Sequence, residues 1–132
     1  MTDAHRLSAP RILVVADDDH VRGLLAAVLR AEGHVVDAAS DRATAVAFVE
    51  RHAYGVVLSD LRMPRLDGPD LVRALEEQRR DAMPALIFLV RPAFAPDLAR
   101  FLMDSGAQVL GWPVRPAEIS RVVARALTPA PA

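Results

Sequence analysis

The chain has 132 residues, 52% hydrophobic and 25% charged, a size and balance that fit one globular domain with a proper core and exclude a disordered chain. A formal net charge of −1 at neutral pH supplies no field to draw in nucleic acid or an anionic membrane, so neither is expected as a direct partner. Cysteine is absent, which excludes disulfides and thiolate chemistry and suits a reducing cytoplasm; all 16 basic side chains are arginine, because the sequence has no lysine.

Met1 to Pro10 is polar, lacks the apolar stretch of a signal peptide, and is expected to be a flexible segment. Ile12-Leu13-Val14-Val15 reads as a buried strand. Asp19 to Ala31 reads as a helix, with Val21, Leu24, Leu25, Val28 and Leu29 on one face and Gly33 just past its end. His34 to Ala38 reads as a short strand, and Asp41 to Arg51 as a helix with Ala45, Val46 and Val49 inward and Ser40 or Asp41 as its cap. Gly55 to Ser59 is the central strand, followed by a helix from Pro69 to Arg79 whose opening proline suits the first turn. Ala85 to Val90 is a wholly apolar strand, far too short to span a membrane. A helix is expected from Ala93 to Asp104, ended by Ser105-Gly106, then a short strand from Val109 to Trp112. Pro116 to Leu127 reads as the last helix, with Ile119, Val122, Val123 and Ala126 inward, and residues 128–132 as a Pro/Ala tail or the start of a linker. Continuous apolar strands separated by helices predict an α/β fold over residues 11–127: a doubly wound, five-stranded parallel sheet covered on both faces.

The most informative stretch is Ser59-Asp60-Leu61-Arg62-Met63-Pro64-Arg65-Leu66-Asp67-Gly68. An apolar strand runs straight into Asp60, and the chain then turns at Met63-Pro64 and again at Asp67-Gly68. One carboxylate is thereby expected at the carboxyl end of a buried strand, where open α/β sheets put their reactive groups. Asp17-Asp18-Asp19 follows the first strand in the same way. Two acidic strand ends in one sheet can share a divalent cation, which points to phosphoryl chemistry on an aspartate.

From about Arg11 to Leu127 the chain resembles the receiver domain of two-component response regulators. The resemblance is carried in register by Ile-Leu-Val-Val before the acidic cluster, Arg22 after it, Gly33-His34-Val35-Val36, the Asp60 motif, Met83-Pro84 before strand four and Ser105-Gly106-Ala107 before strand five. It implies a (βα)₅ flavodoxin-like receiver fold and phosphoryl transfer from a histidine kinase or phosphotransfer protein onto Asp60. It implies Mg²⁺ held by Asp17, Asp60 and the backbone carbonyl of Arg62. It further implies a phosphorelay module that signals to a downstream protein through a face at about Ala93 to Leu127, and a homodimer is a further possible partner state.

Several positions depart from that pattern. The family has two adjacent acidic residues after strand one; here they fall on Ala16 and Asp17, and Ala16 cannot hold a metal-bound water. Asp18 or Asp19 could serve as an auxiliary, although capping the first helix is the simpler role. The expected Thr or Ser at the end of strand four falls on Leu89 counting from Pro84, or on Arg91 counting back from Gly106. No hydroxyl is available either way, because no Ser, Thr or Tyr occurs from Asp60 to Asp104. The lysine expected before a proline falls on Trp112, which precedes Pro113; Arg91 or Arg115 could supply a cation, but a guanidinium fork does not reproduce an ammonium. Trp112 is then either a partner-contacting aromatic or a half-buried packing residue. The Arg62 side chain either points to solvent or stands in for the cation at Asp60 or Asp17. With Ala16, Leu89 and Trp112 as degenerate switch positions, coupling between Asp60 and the output face is expected to be weak.

Other functions compete. A pseudo-receiver would use the same fold for docking or dimerisation without phosphorylation. An aspartyl-phosphate phosphatase would want a second aspartate two residues after the nucleophile, where Arg62 stands, so no enzyme is expected. A flavodoxin-like cofactor binder would want a phosphate loop after strand one, where Asp17-Asp18-Asp19 would repel a phosphate. His5, His20, His34 and His52 lack ligand spacing, and Arg79-Arg80 is too short for a nucleic-acid patch.

Overall fold

The computed structural model describes residues 11–61, 68–79, 81, 83–90 and 96–128. In chain order they form β1 (Arg11–Val15), α1 (Asp19–Ala31), β2 (Val35–Ala39), α2 (Arg42–Arg51) and β3 (Val56–Asp60). There follow α3 (Gly68–Arg79), β4 (Ala85–Val90), α4 (Pro96–Ser105), β5 (Gln108–Gly111) and α5 (Pro116–Leu127). All strand pairings are parallel and the sheet order is β2-β1-β3-β4-β5. The chain winds one way from β1 to β2 and the other way from β3 onward, so the order reverses between β1 and β3. Ligand sites of open α/β sheets lie at that reversal, beyond the carboxyl ends of the strands.

Alternation along each strand divides the core into two layers. Ile12, Val14, Val56, Leu58, Ile87 and Leu89 pack against Val21, Leu25 and Leu29 of α1 and Ile119 and Val123 of α5. Leu13, Val15, Val57 and Phe88 turn the other way, toward Ala45 and Val49 of α2 and Leu71 and Leu75 of α3. Phe101 of α4 meets the edge of Phe88 with ring centroids 5.5 Å apart. These two layers are the reason the strands read as unbroken apolar runs: both faces are covered.

The helix ends follow local chemistry. Asp18 caps α1 by accepting from the Val21 amide at 3.0 Å, and Asp41 rather than Ser40 caps α2 by accepting from the Thr44 amide at 2.8 Å. That amide bond holds the Asp41 carboxyl below its ordinary 3.8. Gly33 takes φ +92°, a left-handed turn that favours glycine, and the chain closes α1 through the His34 amide on the Leu29 carbonyl at 3.2 Å. His34 is therefore spent on the turn, and β2 starts one residue later than its sequence suggests. At the open edge of β2 the Arg30 guanidinium donates to the Val36 carbonyl at 2.8 Å, which blunts an exposed strand edge. Strand β5 lies one residue earlier than expected, with Trp112 just beyond it. The expected helix start at Ala93, the segment Met1 to Pro10 and the last four residues lie outside the described residues.

At the amino-terminal half of the sheet, Asp37 of β2 accepts from Arg11 of β1 at 3.1 Å and from the Tyr54 hydroxyl at 2.8 Å. Tyr54 is buried, and that burial, reinforced by the bond to Asp37, pushes its phenol well above the usual range, so it stays neutral and donating. The bond ties the loop before β3 to the first pair of strands. Tyr54→Phe should lower unfolding stability by about 1 kcal/mol in urea denaturation, with Arg11 still serving Asp37; an unchanged midpoint would mean the hydroxyl contributes nothing net.

Candidate functional site

Asp60 is the last residue of β3 and only 2% exposed. It shares the face of Val56 and Leu58, the layer covered by α1 and α5. On one side it stands in register with Leu89, itself 1% exposed, and the Leu61 amide donates to the Leu89 carbonyl at 3.1 Å. On the other side Val15 pairs with Ser59, so the next residue along β1, the fully buried Ala16, continues abreast of Asp60. Asp17 follows at once on the same rim. Adjacent strands run about 4.8 Å apart, so the two acidic strand ends are near neighbours. Ser59 faces the opposite layer and donates its hydroxyl to the carbonyl of Asp60 at 2.8 Å.

The register separates the two counts for strand four: the residue abreast of Asp60 is Leu89, while Arg91 lies outside the described residues. Trp112 sits just past β5, with its amide on the Val90 carbonyl at 2.9 Å and its half-buried ring packed against the α1/α5 layer. Its peptide bond to Pro113 is cis. The flanks of Asp60 are thus hydrocarbon at Ala16 and Leu89, with no hydroxyl at either.

The loop between β1 and α1 uses its acidic residues in different ways. Asp18 caps the helix, and Asp19 pairs with Arg22. The Arg22 guanidinium also donates to the Ala16 carbonyl at 2.9 Å and reaches the Asp17 carbonyl at 3.5 Å. Asp17 is exposed, and its carboxylate makes no hydrogen bond or ion pair among the described residues. The role of Arg22 in tying this loop was not apparent in the sequence; an arginine one turn after an acidic cluster is the signal that could have found it.

The donor set fits a hard cation sparsely. Among the described residues no group of three or more His, Cys, Asp or Glu side chains gathers to hold a metal. Asp17 and Asp60 do offer oxygen donors on one rim, and Mg²⁺ needs only one or two protein carboxylates because it keeps several waters. Arg62, whose carbonyl the sequence suggests as a further donor, lies outside the described residues. Among those residues no helix is long and apolar enough to cross a membrane.

A doubly wound parallel sheet with an aspartate closing its central strand defines the flavodoxin-like receiver architecture. The response regulator receiver domain family matches residues 12–124, and the chain belongs to that family. It is similar to the transcriptional regulatory protein TcrA of Mycobacterium tuberculosis, 38% identical over 102 residues that cover 77% of this chain and 39% of that protein. The transcriptional regulatory protein PdtaR of the same organism is 33% identical over 124 residues, covering 92% of this chain and 57% of that protein. The chain therefore spans less than two thirds of either relative. The chemotaxis protein CheY4 of Vibrio cholerae has the same fold, with a TM-score of 0.79 at 24% identity, covering 91% of this chain and all of that one. Receiver domains of this family are in general signalling modules and not enzymes, and this chain is a response-regulator receiver domain.

Restoring a hydroxyl at the position abreast of Asp60 tests how tightly that flank is packed. Leu89→Thr should fold but lose about 2 kcal/mol in denaturant unfolding, from lost methylene burial and a buried hydroxyl. A loss near zero would mean that the Leu89 side chain does not fill the space its burial indicates.

Proposed function

We propose that Asp60 is the phosphoryl acceptor of this receiver domain and that residues 11–127 form the functional unit. The observation that carries the reading is the shared rim: β1 and β3 run parallel in a register that brings Asp17 to the carboxyl end of the strand closed by Asp60. A carboxylate oxygen of Asp60 attacks the phosphorus of a phosphohistidine on a histidine kinase or phosphotransfer protein. The phosphorus–nitrogen bond breaks, the imidazole leaves with the electron pair and takes up a proton, and an aspartyl phosphate remains. Such transfers depend mostly on positioning and on neutralising charge. Asp17, Asp60 and the carbonyl of Arg62 would hold Mg²⁺, with Asp18 retained on the helix cap. Mg²⁺ supplies charge neutralisation on the phosphoryl oxygens. A cytoplasmic setting and a downstream protein target complete the reading.

The switch is weak on this reading. Ala16 adds no carboxylate, Leu89 offers no hydroxyl to the phosphoryl group, and Trp112 holds an indole packed on the core where an ammonium would be wanted. Phosphorylation then changes the charge at the rim without a contact from Ala16, Leu89 or Trp112 that pulls β4 or β5 toward it. The same hydrocarbon flanks favour a second reading, in which the fold serves docking or dimerisation without phosphorylation.

Acetyl phosphate or phosphoramidate with Mg²⁺, followed by intact mass, separates the two. One added phosphoryl group, lost in Asp60→Asn, is the expected result. No mass gain under any phosphodonor and metal condition would leave only the docking module.

A further inference from the structure

We infer that Arg22 is the positioning residue of the acidic rim, an inference that rests on taking Asp17 and Asp60 as the metal-holding pair. Arg22 lies in the first turn and a half of α1 and sends its guanidinium back over the loop it has just left. One fork there engages the Ala16 carbonyl at 2.9 Å, approaches the Asp17 carbonyl within 3.5 Å and meets the Asp19 carboxylate. A planar guanidinium can donate in several fixed directions at once, which an ammonium on a flexible stem cannot reproduce. The side chain is 22% exposed, and its bond to the Ala16 carbonyl is partly shielded from water, whereas its contacts with the Asp17 carbonyl and the Asp19 carboxylate are exposed. Asp18 ties the same loop from the other side through the Val21 amide. The backbone on both sides of Asp17 is thus anchored to α1, which fixes where the Asp17 carboxylate stands relative to Asp60. Arg22 touches neither the phosphoryl group nor the metal; it acts through Asp17.

Charge makes this role distinguishable from a merely electrostatic one. Arg22 offsets Asp19 and Asp18 is spent on the helix cap, which leaves Asp17 and Asp60 as the pair facing a divalent cation. Removing the guanidinium leaves Asp19 uncompensated, and Coulomb attraction alone would then tighten cation binding. Removing the tether loosens Asp17 and weakens binding. The two effects have opposite signs, and the positioning role requires the second to win.

The full chain and its Arg22→Ala and Arg22→Lys variants are titrated with Mg²⁺ and Mn²⁺ by calorimetry, with thermal unfolding recorded for each. Arg22→Ala should bind metal about tenfold more weakly, the low end for residues that orient a metal ligand. Arg22→Lys, which keeps the charge but cannot hold the loop carbonyl and the Asp19 carboxylate in the fixed geometry of a guanidinium fork, should recover part of that loss and carries the test if Arg22→Ala does not fold. At saturating metal both folded variants should regain the wild-type extent of labelling by acetyl phosphate, because the defect lies in affinity and not in the acceptor. Unchanged or tighter metal binding in a folded Arg22→Ala overturns the role of Arg22 while leaving the metal pair standing. No metal heat from the wild-type chain removes the pair, and this inference with it.

Discussion

Parallel pairing of β1 with β3 is the constraint on which the rim depends. Val15 lies opposite Ser59, so the chain leaves β1 at Ala16 and Asp17 just where β3 ends in Asp60. A slip of one residue would exchange the two core layers and carry Ala16 and Asp60 to opposite faces. The register is held because both faces are fully buried: Ile12 and Val14 belong to one layer, Leu13 and Val15 to the other, and all four are inaccessible to water. The hydrophobic pattern that makes the sheet is therefore also what aims the acidic residues.

The rim joins two kinds of environment. Its β1–α1 side is polar and closely bonded, with Asp18, Asp19 and Arg22 each committed to the loop. Its sheet side is hydrocarbon, with Ala16 and Leu89 flanking a deeply buried carboxylate. On the proposed reading, Asp60 and Asp17 would share a hard cation on this rim. On that reading, neither Ala16 nor Leu89 offers a group that could change partners when a phosphoryl group arrives. Switching needs an element with two discrete arrangements, and a Leu89 packed into the α1/α5 layer has no polar group to offer a second one.

Most of the fold was legible because its signals are local. Ile12 to Val15, Val56 to Leu58 and Ala85 to Val90 are apolar runs between helical patterns, and Gly33 and Asp41 mark helix ends by backbone conformation and capping. Asp60 was legible because it closes one of those runs. What escaped were contacts between distant residues. Arg11, Asp37 and Tyr54 meet across two strands and a loop, separated by 26 and 17 positions, and nothing in their local surroundings announces the cluster. Leu89 and Arg91 are indistinguishable by counting, because the two counts start from opposite ends of a stretch of different length from the family pattern; the hydrogen-bond register puts Leu89 abreast of Asp60, and Arg91 lies outside the described residues. Arg22 was visible as part of a motif, but its three acceptors became visible only once the loop was folded back over α1. Trp112 was open between partner contact and packing, and its ring packs on the core.

The most direct test of the shared rim is paramagnetic broadening of backbone amide resonances by substoichiometric Mn²⁺. The account predicts selective loss of the Asp17, Asp60 and Leu61 signals, with those of Arg11, Gly55 and Ala85 at the opposite end of the sheet left sharp. Broadening centred away from residues 17 and 60, or affecting one of them without the other, would contradict it.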